Sequence, residues 1–207
     1  MPTTKVRCLN SPLNPRKRIL FLGYTKSQTS IIDDLIRYQC YVDHTDQPID
    51  GNGKYDFVVS FGYRHILRPN VIEGIECPIF NLHISYLPYN RGAHPNFWSF
   101  YDNTPTGVTI HLMDGGIDTG PIVYQRYVNF DKREDTFLKT YSRLNYEIEE
   151  LFVQNLEEIL SDKWVAKPQR GVGSRHYIKD LPRNFSGWEE KIANEMEKLD
   201  KEGLLYE

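Results

Sequence analysis

Only three cysteines, Cys8, Cys40 and Cys77, occur among the 207 residues. Their odd number and wide spacing exclude a disulfide framework and a zinc motif of paired cysteines. Reduced thiols in a cytosolic protein are the reading that remains. No apolar run approaches the roughly 20 residues that a membrane-crossing helix needs. The opening stretch, MPTTKVRCLNSPLNPRKR, lacks the apolar centre of a signal peptide. Positive charge is not in excess: 25 Lys and Arg stand against 28 Asp and Glu, a formal charge of -3, which disfavours a nucleic-acid surface. The one basic cluster, Arg16 to Arg18, reads as the entry to a strand. Internal repeats, low-complexity segments, G-x-G-x-x-G and G-x-x-x-x-G-K-[ST] are all absent. These absences describe a soluble, cytoplasmic, single-core protein.

What the chain does hold is 13% aromatic residues, 14 of them Tyr, which fill cores and also line pockets. Residues 1–17 read as a loose arm. Ile19 to Leu22 form an apolar strand stopped by Gly23, and Ile31, Ile32, Leu35 and Ile36 follow at helical spacing. That opens an α/β unit. The Gly23 to Ser27 turn is a plain βα turn, an anion at the next helix start being the lesser alternative. Further strands are expected around Tyr38–Val42, at Phe57–Phe61, from Pro78, at Gly107–Met113 and at Pro121–Val128. Nearly continuous apolar strands indicate burial on both faces, as in a parallel sheet. An apolar stripe from Phe137 to Leu160 predicts a long helix. It would start from a capping box at Asp131 and Glu134 and break near Asn145. Residues 165–185 read as loops. Ser186 and Glu189 suggest a second capping box, before a tail helix with Trp188, Ile192, Met196 and Leu199 on one face and Gly203 as its stop.

Polar residues collect where strands end. In IFNLHISYLP, Asn81 and His83 are two apart, so both side chains leave an extended chain on the same side. A second set is His111, Asp114, Gly115, Gly116, Asp118 and Gly120, and a third is Gly62 to Leu67. In an open α/β sheet, ligands bind beyond the carboxyl ends of strands, where all three sets are expected. Taken singly, each has a bland reading: strand-end caps and Asp-Gly turns. A metal site of His83, His111, Asp114 and Asp118 has suitable residue types but no ligand pair at helical spacing. Taken as a set, Asn, His and Asp suit attack of an amine on an activated acyl carbon. Asn and protonated His donate to the developing oxyanion, and the carboxylate steadies the imidazolium and helps to move the amine proton.

The segments NLHISYLPYNRG and GVTIHLMDGGIDTGPIVYQ resemble the 10-formyltetrahydrofolate-dependent formyltransferases. That family carries Asn-x-His, then Leu-Pro-x-x-Arg-Gly, then a GVT-x-H-x-x-D-x-G-x-D-x-G run whose second Asp is catalytic. Here that Asp is Asp118, 35 residues after His83. The resemblance covers residues 18–165 and implies an α/β, Rossmann-like formyltransferase fold. Its sheet would be mixed and mostly parallel with helices on both faces, and residues 166–207 would complete the same domain as a loop and a short helical tail. It implies Asn81, His83 and Asp118 as the catalytic set and 10-formyltetrahydrofolate as co-substrate, with no metal. Tyr63, Arg64, His65, Ile66, Leu67, Asp114, Gly115 and Gly116 would hold the pteridine.

Three acceptor amines fit such a family. Methionyl-tRNA formyltransferases carry an extra C-terminal barrel that residues 166–207 are too few to supply. Glycinamide ribonucleotide formyltransferases have a Gly/Ser/Asn-rich first loop and Asn-x-His-Pro-Ser, whereas this chain has Gly23-Tyr-Thr-Lys and His83-Ile-Ser85. The run from Arg91 to Trp98 and the stretch from Gly173 to Asp180 are similar to nucleotide-amino-sugar N-formyltransferases of the perosamine or viosamine type. The expected acceptor is therefore a nucleotide-linked amino sugar destined for surface polysaccharide, such as GDP-perosamine or dTDP-4-amino-4,6-dideoxyglucose. Ser85, Arg91, His94, Trp98 and Tyr177 are candidate sugar contacts. A folate-binding protein without catalysis is the competing class, and the tail helix is a possible homodimer contact.

Overall fold

The computed structural model describes residues 5–203. Residues 1–4 of the expected arm and 204–207 of the tail lie outside it. Strand β1 (Arg7–Cys8) pairs antiparallel with β3 (Tyr41–Thr45), so part of the stretch expected as a loose arm is an edge strand. Strand β2 (Arg18–Gly23) leads through helix α1 (Ile31–Arg37) to β3. Strand β4 (Phe57–Phe61), helix α2 (Pro69–Gly74) and strand β5 (Ile79–His83) follow. Next come β6 (Arg91–Gly92), α3 (Pro95–Tyr101), β7 (Gly107–Leu112), β8 (Ile122–Tyr127), α4 (Phe137–Gln154), α5 (Leu156–Leu160), β9 (Arg175–His176) and α6 (Ile192–Lys201). The main sheet has the order β1-β3-β2-β4-β5-β7-β8. β3, β2, β4 and β5 are parallel, and β7 and β8 add antiparallel pairs beyond β5.

Alternation along the strands divides the chain into layers. Ile19 and Phe21 of β2, Phe57 and Val59 of β4, and Phe80 and Leu82 of β5 face α1, α4 and α5 in the largest core cluster. Leu20 and Leu22, Val58 and Ile79 face the other way, toward α2. Asn81 and His83 share the second face, because they follow Ile79 at period two. The side chains that face the helical core and those that build the site are thus separated by pleat alone.

The register explains where the second polar set lies. β7 runs against β5, with Asn81 opposite His111 and His83 opposite Thr109. Its carboxyl end therefore sits at the amino end of β5, not beside the carboxyl ends of the parallel strands as expected. The loop after β7 must run back along the sheet face to reach Asn81. Strict alternation of Val108 and Ile110 with Thr109 and His111 marks an antiparallel strand.

Several helix boundaries differ from the sequence reading. α4 is capped by Thr136, whose hydroxyl accepts from the Lys139 N–H. Asp131 instead closes a turn that ends before the helix. The break falls at Asn155, whose amide bonds the Leu151 carbonyl. Asn145 stays helical by bonding back to the Tyr141 carbonyl. Strand β3 starts at Tyr41 rather than Tyr38, which is the residue after α1. α6 begins at Ile192, so Ser186 and Glu189 form no capping box and Trp188 precedes the helix. Gly203 follows the helix with φ +71°, the left-handed stop expected of it. Ile192 and Leu199 bury themselves against Phe97, Trp98 and Phe137, so the tail helix docks on the body of this chain. The α1 start is plain: Ser30 N–H and hydroxyl both donate to the Glu149 carboxylate, so a protein carboxylate occupies the place an anion would take.

Phe152 is fully buried in the main cluster. Phe152→Ala is expected to cost about 3–5 kcal/mol through lost burial and the cavity left behind. Urea unfolding of the two proteins measures it, and an unchanged midpoint would contradict this packing.

Candidate active site

Asp118 is the centre of the polar cluster. Its side chain is 14% exposed, and a charge carried that far inside needs partners. One oxygen, Oδ2, accepts from the Gly92 N–H at 2.8 Å and lies 3.7 Å from His83 Nδ1. The other, Oδ1, accepts from Asn81 Nδ2 at 3.1 Å and lies 3.4 Å from His111 Nε2. Burial alone would raise this carboxyl. The imidazolium forms of His83 and His111, with the Gly92 N–H, outweigh it and hold the group well below the usual carboxylate range. Asp118 has φ +50°, an uncommon conformation for a residue with a side chain. Gln169 fixes the turn: its amide donates to the carbonyls of Asp118 and Gly120, each at 2.8 Å. Gln169 is held in turn by Arg91, which donates to its oxygen through Nε and Nη2.

The histidines have distinct roles set by their hydrogen bonds. His111 Nδ1 lies 2.8 Å from the Leu112 carbonyl, which can only accept, so the proton sits on Nδ1. Nε2 then accepts from Asn81 at 3.1 Å. Asn81 thus spends both N–H groups, on His111 and on Asp118. His83 Nε2 donates to the Asn90 carbonyl at 3.1 Å, which leaves Nδ1 as the lone-pair nitrogen facing Asp118. Burial pushes the His83 imidazolium down, and the opposing pull of Asp118 does not restore it. His83 is therefore neutral at pH 7, with its basic nitrogen turned toward the carboxylate.

Asn81, Gly92 and Asp118 lie on the wall between two cavities. A cleft of about 750 Å³ is lined by Tyr63, His65, Ile66, Leu67, Met113, Asp114, Gly116 and Ile117, and by Asn81, Gly92 and Asp118. A smaller one of about 240 Å³ also meets Asn81, His83, Gly92 and Asp118, and is lined by Tyr24, Phe61, Gly62, Tyr141 and Asn145. It adjoins a third space of about 450 Å³, through Ile84, Pro95 and Tyr141, where Arg64, His94 and Trp188 stand. Gly92 can be only glycine. Its φ is +87°, and a Cβ would strike the His176 carbonyl.

Of the residues expected to hold the pteridine, Arg64 lines the third space and the outer side of its own segment, and not the large cleft. Gly115 borders none of these spaces. Tyr177, expected on the sugar side, lines the large cleft instead, because β9 pairs with β6 and brings it there. Ser85 is buried, its hydroxyl on the Tyr89 carbonyl. Trp98 is core, stacked on His176 at 3.9 Å between ring centres. Arg91 is the clamp on Gln169. His94 lines the third space, its ring 5.3 Å from that of Trp188. A shared metal is not built: Asp114 spends Oδ1 on Gly116 and Thr119, and Asn81 lies between His111 and Asp118. Among the described residues no His, Cys, Asp and Glu group is arranged to hold a metal ion, and no helix is long and apolar enough to cross a membrane.

Sequence reasoning passed over Tyr24, Asn90, Tyr141, Asn145, Gln169 and Trp188 as site residues. Tyr141 and Asn145 carried a signal, since residues four apart on a helix share a face. Tyr24 and Tyr141 touch through their hydroxyls at 2.7 Å, and burial with that bond raises the Tyr24 phenol. Gln169 lies in a loop with no periodicity to mark it.

The formyl transferase family profile matches residues 49–156. The chain belongs to the formyl transferase family. The dTDP-4-amino-4,6-dideoxyglucose formyltransferase of Mycobacterium tuberculosis is 33% identical over 62% of this chain and 53% of its own length. A methionyl-tRNA formyltransferase of Thermodesulfovibrio yellowstonii is 32% identical over 56% of this chain and 38% of its own length. The chain thus spans about half or less of these curated relatives. A crystal structure of the formyltransferase PseJ from Anoxybacillus kamchatkensis, in complex with UDP-4,6-dideoxy-4-formamido-L-AltNAc and tetrahydrofolate, is 37% identical. It superposes with a TM-score of 0.79 over 86% of this chain and 97% of its own.

The depressed Asp118 carboxyl makes a stability prediction. In the unfolded chain it takes up a proton below pH of about 4, and in the folded protein only at lower pH. The group therefore stabilises the fold above that range, and the contribution is lost as pH falls toward its folded value. Urea unfolding between pH 5 and pH 2 should show a steeper loss in the native protein than in Asp118→Asn. Equal slopes would refute the assignment.

Proposed function

We propose that the chain transfers a formyl group from 10-formyltetrahydrofolate to the primary amine of a nucleotide-linked amino sugar. The observation that carries this reading is the position of Asn81 and Asp118 on the wall shared by two cavities, with His83 lining the smaller one. Two reactants can reach one cluster from two separate cavities. The large cleft, with Ile66, Leu67, Met113 and Ile117, suits the flat apolar faces of a pteridine. The smaller cavity and the space beyond it, with Tyr24, Tyr141, Asn145, His94 and Trp188, suit a sugar and the base of its nucleotide.

In the reaction the amine nitrogen bonds to the formyl carbon and the carbonyl electron pair moves to oxygen. Neutral His83 takes the amine proton at Nδ1. Asp118, 3.7 Å away, stabilises the imidazolium so formed and keeps its own charge. Collapse of the intermediate breaks the bond to N10 of the folate, which receives a proton. Asn81 donates to the oxyanion by releasing one of its two present bonds. Gln169 and Arg91 position the carboxylate without touching substrate.

The acceptor class is supported by the relation to PseJ across nearly the whole of both chains. It favours a UDP-linked sugar with the amine at carbon 4 over the GDP- and dTDP-linked examples raised by the sequence. The methionyl-tRNA relative shares only 38% of its length with this chain, so that acceptor is the weaker reading. Free thiols at Cys8, Cys40 and Cys77 suit a reducing compartment, and we place the reaction in the cytoplasm.

A screen of UDP-, dTDP- and GDP-linked amino sugars, read by a mass gain of one formyl group, is expected to show turnover with a UDP-linked 4-amino sugar. Turnover with methionyl-tRNA alone would overturn the reading. His83→Asn is expected to lower kcat by about 100- to 10,000-fold. Gln169→Leu should lower it by about 10- to 100-fold through misplacement of Asp118, with substrate KM nearly unchanged. The rate should rise with pH through the imidazole titration. Its acid limb should lie below the ordinary imidazole range, because His83 is depressed. Asp118→Asn should move that limb lower still, since the carboxylate is what pulls the His83 value up.

A further inference from the structure

On the outer side of the Tyr63–Leu67 segment lies another cavity, of about 760 Å³, lined by Arg64, His65, Arg68 and Asn70 over a floor that includes Ile49 and Val71. Among the described residues that line it there is no Asp or Glu, on a chain whose acidic residues outnumber its basic ones. Among the described residues the Arg64 and Arg68 side chains have no carboxylate partner, whereas Arg16, Arg18, Arg126 and Arg143 are each held by one. The same segment forms a common rim with the large cleft, since Tyr63, His65, Ile66 and Leu67 border both. On that rim Ile66 is 82% exposed. A bare apolar side chain between a flat cleft and a cationic basin offers a surface for an aromatic ring that joins a buried head to an anionic tail.

We propose that this basin receives the poly-γ-glutamate tail of the folate co-substrate, a reading that rests on the folate assignment of the large cleft. The aminobenzoyl ring crosses Ile66. The glutamate α-carboxylates, one for each residue of the tail, then meet Arg64 and Arg68, whose planar guanidinium groups present paired donors to a carboxylate. Nothing in the chemistry at Asp118 depends on the tail, so the basin acts on affinity and leaves turnover alone. Exposed charge pairs are individually weak and screened by salt, so the gain expected from a tail of several glutamates is about 3- to 10-fold at low ionic strength.

The test titrates the full chain with monoglutamyl and triglutamyl tetrahydrofolate, without acceptor, by calorimetry at low salt and at about 0.5 M salt, where charges are screened within a few ångströms. The triglutamate should bind about 3- to 10-fold tighter at low salt and lose the advantage at high salt. Arg68→Glu should abolish the advantage and leave monoglutamate affinity unchanged. Equal affinity of the two lengths at low salt would overturn the basin, and so would an Arg68→Glu protein weakened alike toward both. If neither length binds, the folate assignment itself falls and takes this proposal with it.

Discussion

One buried negative charge organises this molecule. A carboxylate inside a protein is tolerated only where fixed dipoles and cations replace the water it has lost. Asp118 gets that replacement from a loop amide at Gly92 and a side-chain amide on β5, and from the imidazoles on β5 and β7 when they are protonated. These partners come from three stretches of chain, so satisfying this charge requires the sheet, the β6 loop and the β7 loop to assemble together. The positive φ of Asp118, the glycine at 92 and the Gln169 grip on two carbonyls are then parts of one solution.

The same arrangement divides acid from base. Two ionisable groups meet at 3.7 Å, and the structure pushes both downward: the carboxyl stays charged, and the imidazole stays neutral. A neutral base beside a fixed negative charge can accept a proton at small cost, because the product is an ion pair already in place. The Nε2 bond to the Asn90 carbonyl occupies one ring nitrogen and leaves Nδ1 as the nitrogen with the free lone pair.

Much of this was legible in the sequence, and the reasons for the rest are physical. Asn81 and His83 share a face because strand side chains alternate, a rule that works on two residues in isolation. The spacing to Asp118 was also legible, but its path was not, since β7 had first to be recognised as running backwards. Residues such as Trp98 and Ser85 combine the right chemistry with the wrong direction. Only packing decides that one stacks on His176 and the other bonds a loop carbonyl. Gln169 and Trp188 were invisible for the opposite reason: they sit in irregular segments and gain their position from distant partners. The break in the long helix fell at Asn155 and not Asn145 because Asn145 finds a bond within its own helix.

The segment that carries Trp188 has a consequence for how the protein comes into being. Its carbonyls at Trp188 and Glu190 receive the first N–H groups of α4, at Leu138 and Phe137, and its aromatic ring walls the space beyond the small cavity. As the chain leaves the ribosome, the sheet, Asn81, His83 and Asp118 are all present before residue 188 has been added. The space proposed for the acceptor is therefore the last part of the site to be built, and its completion waits on a strap some fifty residues downstream of the helix start it caps.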